Sequence, residues 1–326
     1  MPPSSSDLSG AKVAVAAPQG RASRGATRAP RFGAGLRERL FGYGLLLPTL
    51  AVLALVILYP LAEGFRISLM RMRLTSTAAP RFTGFENYID LFQDEKFWFT
   101  LRTTVIWTAA NVVAQIVLGL ALALLLNERL KARGLYRSLA LIPYIVPSVA
   151  AALIWRWMYD GSSGIFNAIL FRLGLIEQYR PWLGEVSTAL PAVIIESVWK
   201  GTPFVMILLL AGLQTIAPEY YEAAGIDGAS AWQRFRDITL PLLSPALAVA
   251  TVLTTVYTVN NFNAIWLMTQ GGPLGSTEIL FTWAYKMAFE RFDFGMAATI
   301  SVVLFGILAI FASIYIFLVE RGEAGG

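Results

Sequence analysis

Apolar positions along this chain come in long blocks rather than in alternation. Six stretches, near 41–62, 103–126, 138–158, 188–213, 242–268 and 295–319, are each long enough to cross a bilayer as a helix, which takes about 20 residues. Between them lie shorter patterned pieces. Phe85, Tyr88, Leu91 and Phe92 recur at helical spacing within 82–100 and predict a short helix at the membrane edge. Gly164-Ile-Phe-Asn167 opens an apolar run that predicts another, with Pro181-Trp182 as a turn. Trp155, Trp157 and Tyr159 read as an aromatic belt at the end of the third span. Helix breakers mark three neighbouring spans: Pro143 and Pro147, Gly201-Thr-Pro203, and Pro245. Interrupted spans of this kind are expected around a midplane cavity. The predicted fold is an all-α integral membrane protein with six transmembrane helices.

The segment 214–241 breaks the apolar pattern most sharply. Glu219, Glu222, Asp227, Arg234, Arg236 and Asp237 cannot lie in hydrocarbon, where each costs kilocalories. Pro218 suits a first helical position, and the two glutamates fall where acids complement the helix dipole. Gly225 and Gly228 offer a stop. Ser230 with Gln233 reads as a capping box for a second short helix carrying Trp232, Phe235 and Ile238 on one side. The segment is a surface helix-turn-helix built to be presented.

Composition agrees with a membrane chain. Hydrophobic residues make up 56% and charged residues 14%, about half the charged share of a soluble domain. Cysteine and histidine are both absent. That removes disulfides, thiol nucleophiles, imidazole bases and most zinc or haem sites, and no metal centre is expected. None of Lys12, Lys96, Lys131, Lys200 and Lys286 stands in a G-x-x-x-x-G-K-[ST] loop, so the chain does not hydrolyse ATP in the P-loop manner. Residues 1–40, rich in Ser, Ala, Gly, Pro and Arg, read as a disordered basic tail ahead of the six-span region 41–320. The first apolar stretch begins too late and runs too long for a signal peptide.

Arginine and lysine set the orientation. The basic tail, and Arg129, Lys131, Arg133 and Arg137 after the second span, place both segments in the cytoplasm. Six crossings then return the C-terminus to the cytoplasm. Arg66, Arg71, Arg73, Arg81, Lys96 and Arg102 in the first external segment run against the rule. Arg66 and Arg102 lie close enough to span ends to snorkel, and long loops follow the rule weakly.

Two polar faces inside the spans could serve a ligand. Thr254, Tyr257, Thr258 and Asn261 form an i, i+3, i+4, i+7 stripe of hydroxyl, phenol and amide groups, the mixture that suits a sugar. Interhelical hydrogen bonding would use the same groups. Lys200 lies one turn after Glu196, a spacing that allows an ion pair, with Ser197, Gly201 and Phe204 on or beside that face. Charged residues within a span point to function, or to a pair that only fixes packing.

Glu222-Ala-Ala, three residues, Gly228, nine residues, Ile238, one residue and Leu240-Pro241 resemble the EAA loop of binding-protein-dependent ABC importer permeases. Thr269-Gln-Gly-Gly-Pro273 after Asn260-Asn261-Phe262 resembles the carbohydrate branch of that family, the maltose, trehalose and glycerol-phosphate permeases. The resemblance covers roughly 40–320 and is to the six-span core form, without the extra N-terminal pair of the enterobacterial maltose permease. It implies an inner-membrane permease subunit of an ATP-driven sugar importer. Its partners would be a second permease, two ATPase subunits that bind the ATP, and an external sugar-binding protein; no cofactor of its own is implied. It also implies that Glu222, Ala223, Ala224, Asp227 and Gly228 couple to the ATPase. The positions of Ser197, Lys200, Gly201, Phe204, Thr254, Tyr257, Thr258 and Asn261 line the sugar site in the maltose permease. Lys200 departs from the family's side chain there. An ATPase-independent secondary transporter or channel is the alternative, with Glu196 and Lys200 as a relay; it leaves the segment 214–241 unexplained.

The charge pattern makes a direct topological prediction. Single Ser23→Cys, Thr83→Cys and Ser138→Cys substitutions, probed with an impermeant maleimide on intact cells, should react at Thr83→Cys alone. Reaction at Ser23→Cys but not at Thr83→Cys would reverse the orientation.

Overall fold

The computed structural model describes residues 32–128 and 131–324. It divides into two units, Met1–Leu58 and Tyr59–Gly326. In the first, α1 (Phe32–Leu53) contains Pro48 and is followed by a π-helical turn at Ala54–Leu58. The helix thus begins inside the range assigned to the tail; the tail's first 31 residues lie outside the described residues.

The second unit contains α2 (Tyr59–Ser68), strands β1 (Met70–Arg71) and β2 (Arg81–Phe82), α3 (Glu86–Gln93), α4 (Glu95–Asn127), α5 (Arg133–Ile145), α6 (Ser148–Met158) and α7 (Ile165–Arg172). It continues through α8 (Val186–Leu213), α9 (Pro218–Ile226), α10 (Ala231–Arg234), a π-helical turn at Phe235–Thr239, α11 (Leu240–Val259), α12 (Phe262–Met268), α13 (Leu280–Phe289) and α14 (Phe294–Ala324). Five helical stretches are long and apolar enough to cross a membrane: Tyr43–Ser68, Glu95–Asn127, Val186–Leu213, Ala231–Met268 and Phe294–Phe317. Helices α5 and α6, bent by 89° at their junction, make a sixth if they count as one broken span.

The fold is mostly helical, as expected, with one short antiparallel ladder in which Met70 stands opposite Phe82 and Arg71 opposite Arg81. Asn87 explains the ladder's position: its amide donates to the carbonyls of Ser68 and Met70, both at 2.9 Å, and fixes the chain leaving α2. The fourth span is not interrupted, since α8 runs unbroken through Pro191 and Pro203. A proline removes one ladder bond, and the buried face of α8, Pro203 included, packs along α4 and offsets that loss. The break falls instead in the fifth span, at Asn260–Asn261.

Helices α4 and α8 form the central pair. A Cβ on Gly119 would stand 2.6 Å from Val205 Cγ1 and 3.1 Å from the Met206 nitrogen. Small residues at such contacts let backbones approach, the main source of packing energy between helices in lipid. Val205, Met206, Leu209 and Leu213 of α8, Ala123 and Leu126 of α4, and Leu243 and Ala250 of α11 make one apolar cluster there. A second joins α3, α13 and α14 through Leu91, Trp283, Met287 and Ile300.

Asn167 organises the segment between α6 and α8, a role its sequence context does not announce. Fully buried, it donates to the Arg180 carbonyl (2.9 Å) and accepts from the Arg180 amide (3.1 Å) and the Trp182 indole (2.8 Å). Nearby, the Asp160 carboxylate accepts from the backbone and hydroxyls of Ser162 and Ser163, which hold its pKa well below the usual carboxylate range.

The α4–α8 contact can be tested directly. Gly119→Val should force the two helices apart and cost about 1–3 kcal/mol, seen as a lower unfolding midpoint of the purified protein in detergent. An unchanged midpoint would refute the close approach.

Candidate functional site

A cavity of about 360 Å³ opens in the second unit between α8, the broken fifth span and the α5–α6 corner. Helix α8 contributes Ser197, Lys200, Gly201 and Phe204; α11 contributes Thr254, Tyr257 and Thr258; Asn261 stands at the break. All eight residues suggested for a substrate path therefore lie on one cavity. Their exposure differs. Thr254 and Thr258 are buried, whereas Tyr257 is exposed, its ring edge-on to Phe204 at 5.7 Å. Gly201 makes room for Gln115, whose amide a Cβ there would strike.

Sequence reasoning passed over other walls of the cavity: Gln115, Tyr144, Ser148, Asn260, Phe262 and Asn263. Gln115 had a signal. With Asn111 four residues earlier, it makes an amide pair in an otherwise apolar span. Its Nε2 lies 3.3 Å from Asn111 Oδ1 and 3.4 Å from the Ser197 carbonyl. Tyr144 reaches the cavity because α5 ends early, and its ring stacks on Phe204 at 6.2 Å.

The corner between α5 and α6 explains Lys200. Pro147 has no N–H, so the carbonyl of Pro143 loses its helical donor, and the chain turns away after Val146. The Lys200 ammonium donates to Val146 O at 2.5 Å and to Pro143 O at 3.4 Å. A cation at a helix C-terminus also complements the macrodipole. The ion pair with Glu196 that the spacing allows is not formed; the freed carbonyls take the lysine instead.

The second break is closed in a parallel way. The Trp107 indole of α4 donates to the Thr258 carbonyl at 3.0 Å. Asn261 caps α12 by accepting from the Ala264 amide (3.3 Å) and donates to Ser197 Oγ (3.2 Å). Asn263 donates to Ser148 Oγ at 2.8 Å, tying α12 to α6.

The segment 214–241 forms the expected pair of short helices. Glu222, Ala223, Asp227 and Gly228 are exposed and Ala224 is half-buried. Gly228 has φ +76°, and the Gly228 and Ala229 amides donate to the carbonyls of Gly225 and Ala224. This is a Schellman turn, with glycine at the left-handed position it favours. Helix α9 therefore runs through Gly225 and stops at Gly228. Ser230 and Gln233 form the capping box. The Tyr221 hydroxyl lies 3.1 Å from Thr239 Oγ1 and joins the two arms, while Tyr220, Ile226 and Trp232 are exposed.

The Thr269–Pro273 loop is held from beneath. Glu278, buried, pairs with Lys96 at 2.8 Å and Lys286 at 2.7 Å, and Lys286 also donates to the Gln270 carbonyl at 2.8 Å.

Residues 115–321 match the sequence profile of the family described as the binding-protein-dependent transport system inner membrane component. The chain belongs to that family. It is a multi-pass component of an inner-membrane transport system, and the matched range spans both the cavity and the exposed helix pair. Among its relatives is the trehalose/maltose transport system permease protein MalF of Thermococcus litoralis, 41% identical over 86% of this chain and 94% of that protein. The trehalose transport system permease protein SugA of Mycobacterium tuberculosis is 35% identical over 91% of this chain and 94% of its own length. The same fold occurs in a bacterial ABC transporter involved in import of the acidic polysaccharide alginate, with TM-score 0.74 and 22% identity over 88% of this chain and 98% of that one.

Lys200→Met should leave two carbonyls unpartnered at the α5–α6 corner. The expected cost is about 1.5–3 kcal/mol, the range for hydrogen bonds to a charged group, read as a drop in thermal midpoint in detergent. Lys200→Arg should recover most of it. Equal midpoints for Lys200→Met and the parent would show that the lysine does not brace the corner.

Proposed function

We propose that the chain is the sugar-translocating permease subunit of an ATP-driven importer. The observation that carries this reading is the cavity: hydroxyl, amide and aromatic groups from α8 and α11 gathered at a double helix break in a chain of this family. That mixture offers donors and acceptors for sugar hydroxyls and an aromatic face for sugar C–H groups. Relatives whose names specify trehalose and maltose transport agree with a sugar.

In this reading residues 41–320 form six crossings, with the broken α5–α6 pair as the third, behind a basic cytoplasmic tail at 1–40. Both termini and the segment 214–241 face the cytoplasm. The basic tail and the basic loop after the second span support that orientation, and in the fold four of the six basic residues that run against the rule have carboxylate partners: Arg66 with Glu63, Arg71 with Asp90, Arg73 with Asp293 and Lys96 with Glu278.

The partners are a second permease, two ATPase subunits and an external sugar-binding protein. A solved alginate ABC transporter of this fold (TM-score 0.71, 22% identity, 89% of this chain and 96% of that one) was captured with an alginate pentasaccharide-bound periplasmic protein. ATP binds the partner ATPases and the chain uses no cofactor of its own. Glu222 makes the principal charged contact to the ATPase, Ala223 and Ala224 keep the docking helix slim, and Asp227 and Gly228 shape its end. Tyr220, Ile226 and Trp232 add apolar surface beside them. An ATPase-independent transporter would leave this exposed surface without a role.

Two sets of substitutions separate the ends of the machine. Glu222→Lys reverses the docking charge, and Gly228→Asp places a side chain where φ is positive. Each should release the ATPase in pull-downs, or abolish its stimulation by sugar-loaded binding protein in lipid. Full binding with full stimulation in Glu222→Lys would remove the segment from coupling. Asn261→Ala and Tyr257→Ala should lower sugar uptake by roughly tenfold or more, the loss of a ligand hydrogen bond or stacking face, in a complex that still assembles. Normal uptake kinetics in both would remove these residues from the path.

A further inference from the structure

One wall of the cavity has an acceptor that nothing in the protein satisfies. Glu196 is 1% exposed, lines the cavity, and its buried Oε2 has no hydrogen-bond partner among the described residues. A buried carboxyl oxygen left in this way is costly, and such groups are rare without a functional reason.

Three nitrogen donors of the cavity are directed elsewhere. Lys200, the natural partner one turn away, has turned to the carbonyls of Val146 and Pro143. The Gln115 amide is directed at Asn111 Oδ1 and the Ser197 carbonyl. The Asn261 amide is directed at Ser197 Oγ. These nitrogen donors leave the Glu196 Oε2 acceptor unmet, and a donor-rich ligand entering the cavity would supply its partner.

We propose that Glu196 binds the transported sugar, accepting hydrogen bonds from hydroxyl groups of a neutral saccharide. This rests on the sugar-permease reading above and specifies it. A carboxylate accepting from adjacent sugar hydroxyls makes charge-assisted bonds, about twice as strong as neutral ones. It also disfavours a ligand that brings a carboxylate of its own, because two acids facing each other in a partly dry cavity repel.

The test uses the complete transporter in lipid vesicles with internal ATP and cognate binding protein, and labelled trehalose and maltose as probes. Glu196→Gln keeps the shape and removes the charge; uptake should fall at least about tenfold, while Glu196→Asp should restore part of it. Copurification of the partner subunits checks assembly. A second measurement needs no variant: a hydrophobic carbodiimide should modify Glu196 of the parent transporter, and saturating trehalose or maltose should slow that modification several-fold. Parent-level uptake by Glu196→Gln, or no protection by a sugar the parent imports, overturns the assignment and leaves the sugar reading standing. Import of neither sugar by the parent complex overturns both together.

Discussion

A polypeptide inside a bilayer must satisfy its own backbone, and two breaks in the helices of this protein make that constraint visible. Each break releases carbonyls from the helical ladder. Each release is answered by a donor from the unbroken central pair: Lys200 of α8 at the α5–α6 corner, and Trp107 of α4 at the end of α11. The unbroken helices serve as the frame on which the broken ones are completed. The cavity lies where these repairs meet, and its polarity follows from them as much as from any residue dedicated to a ligand.

The frame depends on small side chains. Gly119 lets α8 approach α4 until no Cβ fits between them, and Gly201 admits the Gln115 amide at the same seam. Those contacts place Ser197 beside Asn261 and turn Lys200 toward the corner. The seam thus supports packing along one part of its length and chemistry along another.

Much of this was legible in the chain. Block hydropathy located the five long apolar helices, because a membrane helix must be apolar over its whole width, but gave no sign of the 89° bend in the stretch 138–158. The capping box at Ser230 and the stop at Gly228 were legible because both are local, one a side chain reaching three residues and the other a φ that glycine favours. The part of the stripe from Thr254 to Thr258 was legible as a helical face. What escaped was decided by tertiary contact. Pro203 looks like a breaker until α8 is seen packed along α4, and Asn260–Asn261 looks like part of a polar face until the chain breaks there. Glu196 and Lys200 look like partners because their spacing says so; only the carbonyls freed by Pro147, which is distant in sequence, draw the lysine away. The Asn167 hub closes a loop through bonds to Arg180 and Trp182 that no periodicity encodes.

The position of the exposed helix pair has a mechanical meaning. It hangs between the lower ends of α8 and α11, and those two rods form facing walls of the cavity. From Leu213 to Lys200 α8 spans roughly 20 Å, and from Leu240 to Thr258 α11 spans roughly 27 Å, at about 1.5 Å per residue. On the coupling proposed above, a tilt imposed at α9 and α10 would reach the cavity along both of these helices. The Asn261–Ser197 bond bridges the two walls, so any movement of α11 against α8 at the cavity has to stretch or release it.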